Sequence, residues 1–293
     1  MGARPSPGRQ RYATILTVDL LAGLRVVTMA LNLPGPAACA RLREWGAQVT
    51  QVEPPAGDPF AAFCPDWYWQ LHAGMEVHRV DLKDAQGLER MHGWLAHADV
   101  LVTAQRPSAL DRLGLRGAAL HERHPRLCHV ELTGHREPNA EAPGHDLTYM
   151  AEWGLVSPPA MPATLFADMA GAERLVSAVL ALVRNRDRTG AGKHLGVALA
   201  DAAEWLALPR EHGLTQRGAL LGGGSAGYNL YETRDGWIAL AALEPHFARR
   251  VCEVLAVALT HEALAAAFAR EPTSHWLEVA ARHDLPLVAL PSS

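Results

Sequence analysis

The sequence predicts an α/β protein, with a Rossmann-like, mostly parallel sheet in a large domain and a smaller α+β domain. Short β-branched runs alternate with amphipathic segments from Leu24 onward, and a glycine-rich break follows at residues 222–224. Two further apolar runs are then joined at Asp235-Gly236. Alternating strands and helices form a parallel sheet with helices on both faces, whereas an Asp-Gly turn joins antiparallel strands.

Five segments of the first half are predicted strands, and two are predicted helices. The strands are residues 25–28, 48–52, 77–82, 99–103 and 127–132, and the helices are residues 36–45 and 85–97. The first helix has apolar residues at helical spacing and ends at Gly46, which suits a left-handed C-terminal cap. The first strand-to-helix turn lacks the G-x-G-x-x-G fingerprint, so the sequence does not predict an NAD or FAD enzyme.

The second half predicts a long helix, a strand and helix, and then a hairpin. The long helix covers about residues 171–186, a basic loop covers 185–193, the strand and helix extend through Leu208, and the hairpin covers 228–240. We therefore expect four regions. They are a flexible leader over residues 1–20, a large domain over 21–210, a Gly-rich linker over 211–225 and a small domain over 226–293.

Composition excludes several classes of protein. The net charge of −4 gives no electrostatic reason to expect nucleic acid, and no apolar run reaches the ~20 residues of a membrane span. The four cysteines are scattered in apolar surroundings, which is typical of reduced thiols. The first dozen residues are rich in Arg, Pro and Gly and lack the apolar core of a secretion signal. We therefore expect a cytoplasmic location.

One histidine and one aspartate are candidates for proton transfer. His145 follows a glycine in Gly144-His145-Asp146, and Asp168 lies in an apolar run with Phe166 and Met169. An unperturbed imidazole titrates near neutral pH, and desolvation raises the pKa of a carboxyl group toward the same range. The alternative interpretation is that the His-Asp pair caps a helix.

The other histidines do not predict a metal centre. His121 and His124 have three-residue spacing without a neighbouring cysteine or a downstream ligand, and His129 follows shortly afterwards. This spacing is more typical of a solvated helix end. The sequence therefore predicts no metal site.

Three segments carry a resemblance to a known family. They are Gly144-His145-Asp146-Leu147-Thr148-Tyr149, Leu165-Phe166-Ala167-Asp168-Met169-Ala170-Gly171, and the run from Tyr228 to Leu240 that leads into Leu243-Glu244-Pro245-His246-Phe247. In this order they resemble the type III CoA-transferase and α-methylacyl-CoA racemase family, and they are closer to its racemase branch. Shorter matches such as Val52-Glu53-Pro54-Pro55 extend the resemblance to about residues 20–290.

The resemblance implies chemistry at the α-carbon of a 2-methylacyl-CoA. His145 and Asp168 would act as bases on opposite faces of that carbon, and Glu244 would hydrogen-bond His145 and tune it. The backbone N–H groups of Asp168 and the next two residues would receive the enolate oxygen, because Asp168 is expected just before a helix. No separate cofactor is implied, since the CoA thioester is the substrate.

The same residues leave two alternatives open. In type III CoA-transferases an aspartate at the position of Asp168 is a nucleophile that becomes an aspartyl-CoA thioester. A non-catalytic homologue that binds acyl-CoA or a partner subunit is the second alternative. The combination of His145, Asp168 and Glu244 favours the racemase, and the acyl group is left open.

The CoA site and the end of the chain depart from the family. Its basic N-R-G-K-R-S segment has Met75 and Glu76 in place of a lysine and an arginine, so the CoA site is degenerate. The remaining candidates for phosphate contact are Lys83, Arg106 and Arg112. We also expect the C-terminal segment that returns to the large domain to be absent, which leaves open whether the chain forms a homodimer.

Overall fold

The computed structural model describes residues 19–291, which divide between Leu206 and Ala207 into two compact units. The predicted leader lies outside the described residues except for Asp19 and Leu20. Among the described residues, every helix is too short or too polar to cross a membrane.

The first unit contains a six-stranded sheet. Its strands are β1 (Arg25–Thr28), β2 (Gln48–Glu53), β3 (Glu76–Arg79), β4 (Val100–Thr103), β5 (Cys128–Thr133) and β6 (His194–Ala198). All neighbouring pairs are parallel, in the order β3-β2-β1-β4-β5-β6. The prediction of a Rossmann-like parallel sheet is confirmed.

Helices connect these strands and cover the sheet. They are α1 (Pro34–Glu44), α2 (Phe60–Phe63), α3 (Pro65–His72), α4 (Ala85–Leu95), α5 (Pro107–Arg112), α6 (Gly117–Arg123), α7 (Asp146–Glu152) and α8 (Phe166–Thr189). A further helix, α9 (Leu199–Glu211), follows β6 and continues past Leu206, the last residue of the first unit. Residue 46 has a φ of 99°, a left-handed conformation that favours glycine, so Gly46 follows α1 as predicted. Every residue of β4 is buried, as expected for a central strand covered on both faces.

The strand order fixes where a ligand site belongs. The chain direction across the sheet reverses between β1 and β4, which are neighbours although β2 and β3 lie between them in sequence. In such sheets a crevice opens beyond the carboxyl ends of the strands at the reversal point. Gln105, just after β4, donates from Nε2 to the carbonyl oxygen of Met29, just after β1, at 2.6 Å and joins the two strand ends.

The second unit has its own small antiparallel sheet. Its elements are a short π-helix (Leu220–Gly224), β7 (Tyr228–Glu232), β8 (Trp237–Ala241), α10 (Pro245–Leu255), α11 (His261–Phe268), α12 (Thr273–His283) and β9 (Leu287–Ala289). Strand β8 lies between β7 and β9 and pairs antiparallel with both. Ile238 and Leu240 of β8 pack with Phe268 in a separate core, so the predicted α+β unit with its hairpin is confirmed.

The long helix α8 differs from the predicted helix at both ends. It begins at Phe166 instead of residue 171, and it ends at Thr189 with Gly190 in a left-handed conformation. Residues 185–189 are therefore helical instead of part of a basic loop. Arg186 is buried, and its Nη1 lies 2.6 Å from Oδ1 of Asp99, so this arginine joins α8 to the start of β4.

The predicted solvated helix end is correct for residues 121–123, which are exposed at the end of α6, but wrong for His124. His124 is buried, and its Nε2 lies 3.0 Å from Nδ1 of His92 on α4, with the two rings stacked. Burial lowers the pKa of both imidazoles, so each is held neutral between two helices.

Candidate active site

A cavity of about 310 Å³ lies beyond the carboxyl ends of β1, β4 and β5. Residues from the three strand ends and from the segments around α7 and α8 line it, including Asn32, Arg106, Gly134, His145, Tyr149 and Asp168. The cavity occupies the crevice that the strand order predicts. It brings together His145 and Asp168, which are 23 residues apart in sequence.

His145 is held by its backbone, and its imidazole is left exposed. It is the N-cap residue of α7, with an extended φ of −143° and ψ of 168°. Its N–H donates to Oγ1 of Thr148 at 3.1 Å, and its carbonyl oxygen accepts the N–H of Thr148 at 2.8 Å. The interpretation of the His-Asp pair as a helix cap is therefore correct for the backbone of His145, while its side chain lines the cavity.

Asp168 has an environment that keeps a proton on its carboxyl group at higher pH than usual. It is the third residue of α8 and partly buried. Burial, and then the negative charge of Asp146, raise the pKa of Asp168 to about 6. A carboxyl group with a pKa near the working pH can both donate and accept a proton.

Asp146 positions Asp168 through a contact that no sequence motif indicates. Its buried carboxylate accepts the backbone N–H of Asp168 at 2.9 Å and thereby joins the starts of α7 and α8. The predicted role of these N–H groups toward an enolate oxygen needs correction, because Asp168 lies inside the helix and its N–H is already bonded. The N–H of Met169 donates to the carbonyl oxygen of Leu165 at 3.1 Å.

Tyr149 places a hydroxyl group in the cavity. It is buried on α7, and a β-carbon at Gly134 or Gly144 would clash with its ring or hydroxyl. Burial, and then the charges of Asp168 and Glu152, raise the pKa of Tyr149 to about 12, so it is a hydrogen-bond donor at neutral pH. Within residues 19–291, no hydrogen bond occupies the Tyr149 hydroxyl, and none joins His145 to Asp168.

The predicted phosphate-binding residues occupy different places in the first unit. Arg106 lines the cavity. Lys83 lines a neighbouring cavity of about 280 Å³ that shares Leu31 and Gln105 with the first. Arg112 ends α5. The backbone N–H of Ser108, and then the charges of Arg106 and Arg112, lower the pKa of Glu141.

Glu244 belongs to the second unit. It is the exposed N-cap residue of α10, with Pro245 at the first helical position. The predicted hydrogen bond from His145 to Glu244 stays a prediction.

Replacing Asp146 by asparagine is expected to lower the pKa of Asp168. The amide oxygen of Asp146→Asn can still accept the Asp168 N–H, but the like charge is removed. For any reaction that uses the Asp168 carboxylate as a base, the acid limb of kcat/KM should move to lower pH. The matched control is Glu152→Gln on the same helix, which should leave the limb in place. An unchanged profile in Asp146→Asn would rule out this electrostatic coupling.

The first unit has a parallel sheet with a cavity beyond its strand ends, and a histidine and an aspartate line that cavity. These are features of an α/β enzyme. The chain belongs to CoA-transferase family III, whose model matches residues 21–290. This finding confirms the family predicted from the sequence.

Curated relatives include both activities that the sequence left open. A probable fatty acyl-CoA transferase of Mycobacterium tuberculosis is 28% identical over 270 residues, which cover 80% of this chain and 68% of that protein. The α-methylacyl-CoA racemase of Mus musculus is 30% identical over 249 residues, which cover 78% of this chain and 62% of that protein. The chain thus spans less than two thirds of the length of the mouse racemase.

A solved structure agrees with the fold. The crystal structure of the mycobacterial protein superposes with a TM-score of 0.79 at 26% identity, covering 92% of this chain and 82% of that one. The family membership of this chain and its α/β fold therefore rest on both sequence and structure.

Proposed function

We propose that this chain is an α-methylacyl-CoA racemase or epimerase that transfers a proton between the two faces of the α-carbon. The observation that carries the proposal is the presence of His145 and Asp168 in one cavity, with no hydrogen bond joining them within residues 19–291. Two groups that are not bonded to each other can both turn toward a carbon placed between them. A CoA thioester supplies such a carbon, because its α-proton is weakly acidic.

The two bases hold one proton between them. In one direction neutral His145 removes the α-proton while protonated Asp168 delivers its own proton to the opposite face. In the other direction the Asp168 carboxylate removes the proton and the His145 imidazolium returns one. A pKa of about 6 keeps both forms of Asp168 accessible near neutral pH, which this cycle requires.

Tyr149 is the proposed donor to the enolate oxygen. The thioester oxygen gains negative charge when the α-proton leaves, and a fixed donor in the cavity stabilises that charge. The Tyr149 hydroxyl lines the same cavity, and its raised pKa keeps it protonated. It would replace the backbone N–H of Asp168, which donates to Asp146.

Replacing His145 by alanine is expected to separate the racemase from the CoA-transferase. With a 2-methylacyl-CoA in D₂O, epimerisation should fall by about 10²–10⁴-fold, because one of the two bases is lost. The control is His121→Ala, an exposed histidine on α6 outside the cavity. The two epimers are separated by chiral chromatography, and the deuterium content of each is measured by mass spectrometry. Unchanged epimerisation in His145→Ala would overturn the two-base proposal.

The second candidate function is transfer of CoA between carboxylic acids. The Asp168 carboxylate would attack the thioester carbonyl, form an acyl anhydride and release CoA thiolate, which would then form an aspartyl-CoA thioester and free the first acid. The match to a relative described as a probable fatty acyl-CoA transferase favours this candidate. Adding a free carboxylate acceptor tests it, since transfer should persist in His145→Ala and be lost without Asp168.

Both candidate functions and the non-catalytic alternative that binds acyl-CoA require the chain to bind CoA, so the absence of binding would exclude all three. We propose that Arg106, Lys83 and Arg112 contact CoA phosphates, since the first two line neighbouring cavities. Isothermal titration with CoA measures this contact directly. Binding without proton exchange or CoA transfer would indicate a homologue that only binds acyl-CoA. The homodimer, the cytoplasmic location and the role of Glu244 remain predictions.

A further inference from the structure

Three buried side chains outside the active-site cavity bring metal-binding atoms together. Glu53 is the last residue of β2, Asp58 lies in the following loop, and His72 is the last residue of α3. They are 1%, 5% and 4% exposed, so water reaches none of them freely. One ligand atom from each lies within 4.8 Å of the other two.

The ring of His72 is held with a lone pair toward this cluster. Its Nδ1 lies 2.8 Å from the carbonyl oxygen of Tyr68, which can only accept, so Nδ1 carries the hydrogen. In the neutral ring, Nε2 is then an acceptor, and it is buried without a hydrogen-bond partner. A ring nitrogen that donates to a backbone carbonyl while the other stays free is the usual arrangement of a metal-bound histidine.

Glu53 has one carboxylate oxygen without a hydrogen bond, whereas both oxygens of Asp58 accept backbone N–H groups. Oε1 of Glu53 accepts the Tyr68 hydroxyl at 2.6 Å, whereas its buried Oε2 accepts no hydrogen bond. Asp58 accepts the backbone N–H groups of Asn32 and Phe60. Each carboxylate therefore keeps lone pairs for a further ligand.

The negative charge of the cluster is only partly balanced. Nε of Arg79 lies 3.5 Å from Oε2 of Glu53, and the side chain of Arg79 is 63% exposed. This ion pair involves Glu53, and Asp58 adds a second buried carboxylate to the cluster. Burial of unpaired charge is costly. A bound dication would balance the negative charge of the two carboxylates. It would also coordinate Oε2 of Glu53 and Nε2 of His72, the two buried atoms that have no hydrogen-bond partner.

We propose that Glu53, Asp58 and His72 bind one divalent transition-metal ion. A set of one imidazole and two carboxylates is compatible with Zn²⁺, Co²⁺ or Mn²⁺ at ~2.0–2.2 Å per bond, and a water molecule completes the coordination. The ion has a structural role, because Asp58 also holds the N–H of Asn32, which lines the active-site cavity. The metal thus joins the loop after β2 to the turn after β1.

Cobalt titration of the purified full chain tests this site without measuring activity. Wild type should bind one Co²⁺ per chain, with visible d–d absorption and no thiolate-to-cobalt band, since the site contains no cysteine. His72→Asn should bind Co²⁺ more than about 100-fold more weakly. His97→Asn changes an exposed histidine two residues beyond the end of α4 and should bind like wild type. Asp58→Asn serves as a second variant, because its amide oxygen can still accept the Asn32 N–H.

Thermal unfolding supplies an independent readout of the same site. Added Zn²⁺ should raise the Tm of wild type and of His97→Asn but not that of His72→Asn or Asp58→Asn, because a ligand stabilises only a protein that binds it. Failure of wild type to bind a stoichiometric metal ion would overturn the proposal. Equal binding by wild type, His72→Asn and Asp58→Asn would overturn it as well.

Discussion

Asp168→Asn is expected to lose both epimerisation at the α-carbon and CoA transfer. The amide is similar in size to the carboxyl group but can act neither as a base nor as a nucleophile, so kcat/KM should fall by about 10²–10⁴-fold. The exposed carboxyl variant Glu122→Gln on α6 is the control and should keep wild-type activity. Retained activity in Asp168→Asn for either reaction would remove Asp168 from the chemistry.

The same variant should be more stable than wild type at high pH. Because the folded protein raises the pKa of Asp168 from 3.8 to about 6, the folded state binds the proton more tightly than the unfolded state. The protonated Asp168 carboxyl group therefore stabilises the folded state at low pH. This stabilisation is lost as the pH rises through about 6, because a partly buried negative charge then forms beside Asp146. The Tm gain of Asp168→Asn should be larger at pH 8 than at pH 4. A gain independent of pH would contradict the desolvation of Asp168.

Arg186→Met is expected to give the largest loss of stability among these variants. Nη1 of Arg186 lies 2.6 Å from Oδ1 of Asp99, whose Oδ2 accepts the backbone N–H of Arg25. Breaking a fully buried pair costs ~3–5 kcal/mol, because one charge is left without a partner. Since the Asp99 side chain is 28% exposed, we expect a loss of about 2 kcal/mol in the free energy of unfolding.

Arg188→Met is the matched control for this variant. Arg188 lies two residues further along α8 and is exposed, so its loss should change stability by less than ~0.5 kcal/mol. Urea unfolding of both variants measures the difference. CoA affinity should be equal in the two, which distinguishes a structural arginine from one that contacts phosphate. A selective loss of CoA affinity in Arg186→Met would contradict the structural role.

Local signals predicted most of the fold. The β-branched runs mark the parallel strands because strands covered on both faces need continuous apolar sequence. Gly46 marks the end of α1 because its φ of 99° is strained for other residues. The start of α8 was not predictable in this way, since Leu165 at its N-cap forms no side-chain hydrogen bond.

The sequence predicts the site residues that lie within its motifs, but not the contacts between residues that are far apart in sequence. His145 and Asp168 were found because they lie in recognisable segments, and their shared cavity follows from the strand order. The hydrogen bond from Asp168 to Asp146 crosses 22 residues of sequence, so no local pattern indicates it. The cluster of Glu53, Asp58 and His72 was missed for a similar reason, since it forms only when α3 folds back against the end of β2.

We propose that His145 and Asp168 act on one α-carbon from opposite faces. The most direct test is to incubate wild type with a single epimer of a 2-methylacyl-CoA in D₂O and to analyse both epimers by chiral chromatography and mass spectrometry. We expect the opposite epimer to appear with one deuterium at the α-carbon. Deuterium confined to the starting epimer would indicate a single base, and the absence of exchange while CoA binds would contradict the claim entirely.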